Sequence, residues 1–151
     1  MTFNFRGTPP SKGTENEIQF EIDIKGALSF LESRGVRGLV IIGSGEGATA
    51  GIKFAATKRI IGVISVSPRL NLGTLNISSV LSDIDNPILF IVSEGDESAH
   101  QAAADMFHAP HSDVWAISIF RGDARGAALV TSQNHPEVSE HILQYLGGFL
   151  Q

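Results

Sequence analysis

The chain contains no cysteine. That excludes disulfides, thiolate nucleophiles and cysteine-ligated zinc, and makes a cytoplasmic address the default expectation. Positive charge is not in excess either: 16 acidic side chains stand against 11 basic ones, a net charge of −5. A mildly negative surface argues against nucleic acid or an anionic membrane as a partner. No apolar run comes near the roughly 20 residues that a bilayer-spanning helix needs. The first fifteen residues are polar and carry Pro and Gly, unlike a signal peptide. Repeats, linkers and low-complexity segments are lacking as well. What remains is one domain over residues 1–151, long enough to bury a core.

What the chain does have is an abrupt junction. The apolar run Val40-Ile41-Ile42 stops at Gly43-Ser44-Gly45-Glu46-Gly47, and the small residues Ala48-Thr49-Ala50 follow. A continuous β-branched run reads as a buried parallel strand. Glycines at its end permit strained backbone angles and close approach to a following helix. Such strand–turn–helix junctions are where α/β folds hold their ligands.

From the N-terminus, Thr2-Phe3-Asn4-Phe5 alternates like a short strand and runs into a Pro/Gly loop over 6–13. Ile18, Phe20, Ile22 and Ile24 keep a strand period, whereas Ile24, Ala27, Leu28 and Leu31 keep a helical one. A helix over 22–33 capped by Gly35 satisfies the second set, and an extra strand over 18–22 stays open. Buried strands are predicted over 38–42, 60–66, 87–92 and 114–120, with helices over 47–57, 97–108 and from Pro136 onward. The last helix carries the stripe Val138, Ile142, Tyr145, Leu146 and Phe149. Segment 69–86 reads as connection with one short helix near 77–84, and 121–133 as a long loop. Strands alternating with helices at this spacing predict an α/β fold, a doubly wound, mostly parallel sheet with helices on both faces.

Four landmarks then fall in a telling order. Phe5-Arg6-Gly7 with Ser11 follows the early strand, and Gly43-Ser44-Gly45-Glu46-Gly47 follows the first buried one. Gly95-Asp96 follows the third buried strand, and Gly122-Asp123-Ala124-Arg125-Gly126 the fourth. Together they resemble the α/β-hydrolase superfamily, near its small esterase and dienelactone-hydrolase-like members. The resemblance runs over nearly the whole chain but covers only the later part of the family's domain, so an N-terminally truncated version is expected. It implies that 43–47 is the nucleophile elbow G-x-S-x-G, that Asp96 is the triad acid, and that Arg125 stands at the histidine position.

Residue by residue, the implied triad is degenerate. Gly45, at the nucleophile position, has no side chain to acylate. Arg125 stays protonated and cannot accept a serine's proton. Asp96 retains its place, but a carboxylate that orients a histidine does nothing without one. The family's oxyanion hole takes one N–H from a loop upstream of the Arg-Gly loop, and that loop is missing from this sequence. A pseudoenzyme is therefore expected.

Competing readings rest on neighbouring residues. Ser44, Asp96 and His135 preserve the family's chain order and would make a rebuilt ester or acyl hydrolase. An elbow aims one residue outward rather than its neighbour, however, and His135 directly before Pro136 reads as flanking a helix. Gly43-x-Gly45-x-x-Ala48 satisfies a dinucleotide fingerprint, yet Ser65-Val66-Ser67-Pro68 lacks the carboxylate that would hold the ribose. His100, His108 and His111 surround helix-breaking Pro110 and read as loop histidines, so no metal is expected. Arg121-Gly122-Asp123 and the sequon Asn76-Ile77-Ser78 read as chance matches, and Trp115 and Phe120 as core.

Two losses combine into a positive expectation. The N–H groups of residues 45–48 at a helix start form an anion site, and Arg125 would face it across the cleft. The ligand set is then Ser44, Gly45, Glu46, Gly47 and Arg125, with an internal Arg125–Asp96 ion pair as the competing use of the guanidinium. The expected protein binds a small anionic ligand and needs no cofactor. The alternatives are the rebuilt hydrolase and a non-catalytic assembly or interaction protein. The strand that the family places beside the elbow strand is also missing. Either 2–5 shifts to pair with 38–42, or the elbow strand is an exposed edge that invites another chain. A homodimer through this N-terminal sheet edge, or by exchange of residues 1–20, follows as an expectation.

Overall fold

The structure is a computed structural model that describes residues 1–14, 19–57, 59–72, 75–109, 114–131, 133 and 135–149. It comprises two compact units, Met1–Arg37 and Gly38–Gln151.

In the first unit, helix α1 (Phe20–Ser33) starts two residues before the predicted onset. It takes up Phe20 and Ile22, so the helical period wins over the strand period there; Ile18 lies outside the described residues. Gly35 is left-handed at φ +79 and its N–H returns to Glu32 O at 2.9 Å, the expected helix stop. Residues 2–5 form no strand, which corrects the reading of their alternation. Phe5 instead meets Phe3 and Phe20 edge-on, with centroids 5.3 and 4.9 Å apart. Arg6 grips Asp23 through its backbone N–H (2.9 Å), Nε (2.7 Å) and Nη2 (2.6 Å), which pins the loop to α1.

The second unit contains β1 (Leu39–Ser44), α2 (Glu46–Lys53), β2 (Ile60–Val66) and two short antiparallel strands, β3 (Asn71–Leu72) and β4 (Leu75–Asn76). A single 3-10 turn (Leu81–Asp83), β5 (Ile88–Ser93), α3 (Glu97–Phe107), β6 (Trp115–Phe120), α4 (Ala127–Thr131) and α5 (Pro136–Gly147) follow. The four main strands are parallel in the order β1-β2-β5-β6. Every residue of β5 is buried, as a continuous β-branched run between two covered faces requires. Gly51 of α2 backs onto Ile41 and Val63 on one face of the sheet. On the other face, Ile64, Val66, Leu89 and Ile91 pack with Leu129 of α4 and with Val138 and Ile142 of α5. Helices therefore cover both faces of the sheet.

Three corrections have local causes. Helix α2 ends at Lys53, not at 57, because Phe54 and Ala55 close it with tight bonds to Gly51 and Ile52. The short helix near 77–84 is only the 3-10 turn. Segment 121–133 is not all loop: α4 forms because Leu129 is fully buried, although five residues are too few to show a period. Of the two alternatives for the elbow strand, β1 ends the sheet, and Ile42 is 52% exposed. No helix among the described residues is long and apolar enough to cross a membrane.

Candidate functional site

Parallel strands bring all their C-terminal ends to one rim, so the connections that leave the four strands of the second unit, three of them leading into helices, meet there. The β1–α2 turn is built around two glycines with different reasons to be glycine. A Cβ on Gly43 would lie 2.3 Å from Gly47 O and 2.4 Å from Gly47 C, so this position must be bare for α2 to start where it does. Gly45 is different: it holds φ +53 and ψ −114, while a Cβ there would meet nothing within 4 Å. Its N–H donates to Val66 O (2.8 Å), and its carbonyl accepts from Thr49 N (3.2 Å) and Thr49 Oγ1 (3.3 Å). The apex of a sharp, strained turn thus points its one substituent direction into open space. That is how an elbow presents a side chain, and here the side chain is a hydrogen.

The other connections are tied to this one through the end of β2. Ser67, at φ +49, is a non-glycine in the left-handed region, and its N–H reaches Ile91 O (2.9 Å). Its hydroxyl accepts from Gly126 N at 2.8 Å, which anchors the loop after β6 beside the elbow. Ser93 Oγ donates to Ala124 O (2.7 Å), and Gly95 N donates to Gly122 O (2.8 Å). A Cβ on Gly95 would press against Gly122 O at 2.9 Å, so the Asp96 turn and the Arg125 loop touch backbone to backbone.

Arg125 and Asp96 come together there. Arg125 Nε lies 3.8 Å from Asp96 Oδ1, and Nη2 donates to Gly95 O at 3.3 Å. The Asp96 side chain is 4% exposed and that of Arg125 is 66% exposed, so the pair forms without using up the guanidinium. Asp96 also N-caps α3, accepting from Ala99 N at 3.4 Å. Glu46 is exposed at the start of α2, and Gly47 lies against Gly43.

The rebuilt Ser44–Asp96–His135 set is not brought together by hydrogen bonds among the described residues. Ser44 ends β1 in register with Val66. His135 Nδ1 lies 3.2 Å from Glu137 Oε1, while Nε2 sits beside Gly122, 3.2 Å from where a Cβ would be. The Glu137 carboxyl is held below its usual range, first by its own backbone N–H and then by His135. Burial pushes the Tyr145 phenol up, and among the described residues its hydroxyl has no hydrogen-bond partner. His111 lies outside the described residues, and no metal-binding cluster of three His, Asp or Glu residues occurs among the described ones.

A groove of about 820 Å³ lies elsewhere, wholly in the first unit, lined by Phe3, Lys12, Ile22, Ala27 and Phe30 among others. It holds the Arg6–Asp23 pair and none of the elbow, acid-turn or Arg125-loop residues, so the chemistry of the rim has no part in it. Sequence reasoning missed Ser67, Arg69 and Ser98 at the rim. Arg69 N donates to Thr49 Oγ1 (2.9 Å), Thr49 Oγ1 donates to Arg69 O (3.0 Å), and Arg69 Nη1 donates to Ser98 Oγ (3.3 Å). The Ser67-Pro68 step was the available signal, since a residue before proline is barred from the ordinary helical region.

With a glycine-apexed elbow, a buried acid and a covering loop on one rim, the geometry is that of an α/β-hydrolase-like fold, and comparison with known structures agrees. A monoacylglycerol lipase of Paleococcus ferrophilus superposes with TM-score 0.77 at 16% identity, over 95% of this chain and 81% of its own. An esterase of Pyrococcus furiosus gives 0.69 at 14% identity, over 95% and 68%. An alpha-beta serine hydrolase homologue from Coxiella burnetii gives 0.64 at 22%, over 79% and 57%. No protein-family profile and no curated protein sequence matches the chain. At such identities the likeness shows the fold, and the fold is α/β-hydrolase-like.

Proposed function

We propose that this protein is a hydrolase-like binding protein without serine-hydrolase activity, holding a small anionic ligand at the rim formed by 44–47 and Arg125. The observation that carries the reading is the pairing of an empty elbow apex with a guanidinium that is anchored but still two-thirds exposed. At Gly45 an acyl-enzyme has no oxygen to form on. At position 125 a permanent cation, which cannot take a proton, instead offers a charge partner for a carboxylate or phosphate. The N–H groups of residues 46–48 at the start of α2 add donors for the same charge, whereas that of Gly45, expected to join them, is taken by Val66 O at 2.8 Å. The rebuilt hydrolase is disfavoured because His135 is engaged by Glu137 and has no bond to Ser44.

The test is a thermal-shift and calorimetric series with acetate and phosphate on the wild type and on Arg125→Ala. Stabilisation by an anion that disappears in the variant supports the reading, and anion binding indifferent to Arg125 removes it. A cytoplasmic, cysteine-free setting is proposed with it. So is a homodimer through β1, whose six residues Leu-Val-Ile-Ile-Gly-Ser carry no charge to discourage pairing. A monodisperse monomer in light scattering would remove the dimer.

A further inference from the structure

Two arginines approach one helical turn from different loops. Arg69 follows β2 and is fixed by the reciprocal backbone bonds to Thr49, with Nη1 on Ser98 Oγ at 3.3 Å. Arg125 follows β6 and is fixed by Gly95 O at 3.3 Å and Asp96 Oδ1 at 3.8 Å. Asp96 is the N-cap of α3 and Ser98 its second residue, so both guanidiniums converge on the same turn. Their anchor points also flank the elbow. Thr49 bonds Gly45 O and Arg69, and Gly126, next to Arg125, bonds Ser67.

Each guanidinium has five N–H donors in a planar fork. Here Arg69 spends its side-chain donor on a neutral hydroxyl, and Arg125 spends one on a neutral carbonyl, with the carboxylate contact at 3.8 Å longer than a hydrogen bond. Both side chains are exposed. Most of their donors and much of their charge are left for a ligand. The same rim carries the exposed carboxylates of Glu46, Glu94 and Glu97. Those carboxylates oppose an anion in proportion to its charge, so binding rests on direct contact, where a dianion bridging both forks makes more charge-assisted hydrogen bonds than a monoanion on one.

We infer that the ligand is a phosphomonoester-type dianion held jointly by Arg69 and Arg125. This rests on the proposed anion-binding function and specifies its ligand class. The terminal oxygens of a phosphate match two guanidinium forks, as the bidentate geometry of arginine favours.

The experiment is calorimetric titration of the intact chain with inorganic phosphate and with acetate at constant ionic strength. It uses wild type, Arg69→Ala, Arg125→Ala and Arg69→Lys, each checked for folding by circular dichroism. Phosphate at about pH 8, where it is a dianion, is expected to bind at least tenfold more tightly than acetate. Each alanine variant is expected to lose roughly ten- to a hundredfold, and Arg69→Lys to fall between. Phosphate affinity lost in Arg125→Ala but unchanged in Arg69→Ala overturns the two-arginine inference and leaves the anion-binding function standing. Equal affinity for acetate and phosphate also overturns it. No anion binding to the folded wild type overturns both.

Discussion

Substituting the two elbow glycines separates what the backbone demands from the loss of chemistry proposed above. Gly45→Ser introduces a side chain where a Cβ meets nothing within 4 Å, so its cost is conformational only. Holding an L-residue at φ +53 and ψ −114 costs about 1–3 kcal/mol. Loss of glycine's freedom in the unfolded chain returns about 0.4–1 kcal/mol. The net destabilisation is about 1 kcal/mol, a fall in Tm of about 2–4 °C for a domain of this size. Gly43→Ala has no such latitude, because its Cβ would lie 2.3 Å from Gly47 O and 2.4 Å from Gly47 C. Both atoms are backbone and no rotamer relieves them, so a loss on the order of 4 kcal/mol or a failure to fold is expected. Urea unfolding with both variants decides the structural half. Losses of equal size, or a gain from Gly45→Ser, would refute the open, left-handed apex. The chemical half uses a fluorophosphonate probe. Gly45→Ser alone should stay unlabelled, because Arg125 cannot take the serine proton, and Gly45→Ser with Arg125→His should become labelled. Labelling of the single variant would refute the role assigned to Arg125.

Other outcomes follow from single contacts. Asp96→Ala should cost about 1 kcal/mol through the α3 cap, whereas Asp96→Asn, which keeps the acceptor, should stay within about 0.5 kcal/mol of wild type in urea unfolding. Gly62→Ala should cost about 1–3 kcal/mol by overpacking, since its Cβ would meet the Phe149 ring at 2.4 Å. In Phe149→Ala the same change should cost much less, and a double-mutant cycle reads the difference. Tyr145 is the only tyrosine, so tyrosinate absorbance reports it alone. Its titration midpoint should exceed 10.0, because burial disfavours the phenolate. With the folded value raised, that stabilisation is complete below pH 10.0 and is lost as pH rises toward the folded midpoint. Glu137 works in the opposite sense. Its lowered value makes the His135–Glu137 contact favourable above pH 4.5, and the contribution fades as pH falls through the folded midpoint. A carboxyl NMR titration in which His135→Ala raises the Glu137 midpoint would bear this out.

The strands were legible because burial on two faces leaves β-branched runs, and 60–66 was predicted to the residue. Gly43 and Gly45 marked the elbow for the same reason: few backbones make that turn without glycine. Residues 2–5 misled because alternation describes a strand only where another strand can pair with it. Helix α4 was missed because Leu129, its one fully buried apolar residue, carries no periodicity. At the rim, Arg125 beside Asp96 followed from the order of the landmarks. The convergence of Arg69 did not, because it depends on the Thr49 hydroxyl turning the chain after β2, which no local spacing encodes.

The most direct test of the account is fluorophosphonate labelling of the wild-type protein, with p-nitrophenyl acetate turnover measured beside it and Ser44→Ala as the control. With glycine at the elbow apex and Arg125 standing where a base would be needed, the proposed binding protein is expected to give no labelling and no turnover above buffer. Labelling of the wild type that vanishes in Ser44→Ala would contradict it and make Ser44 the nucleophile of a working hydrolase.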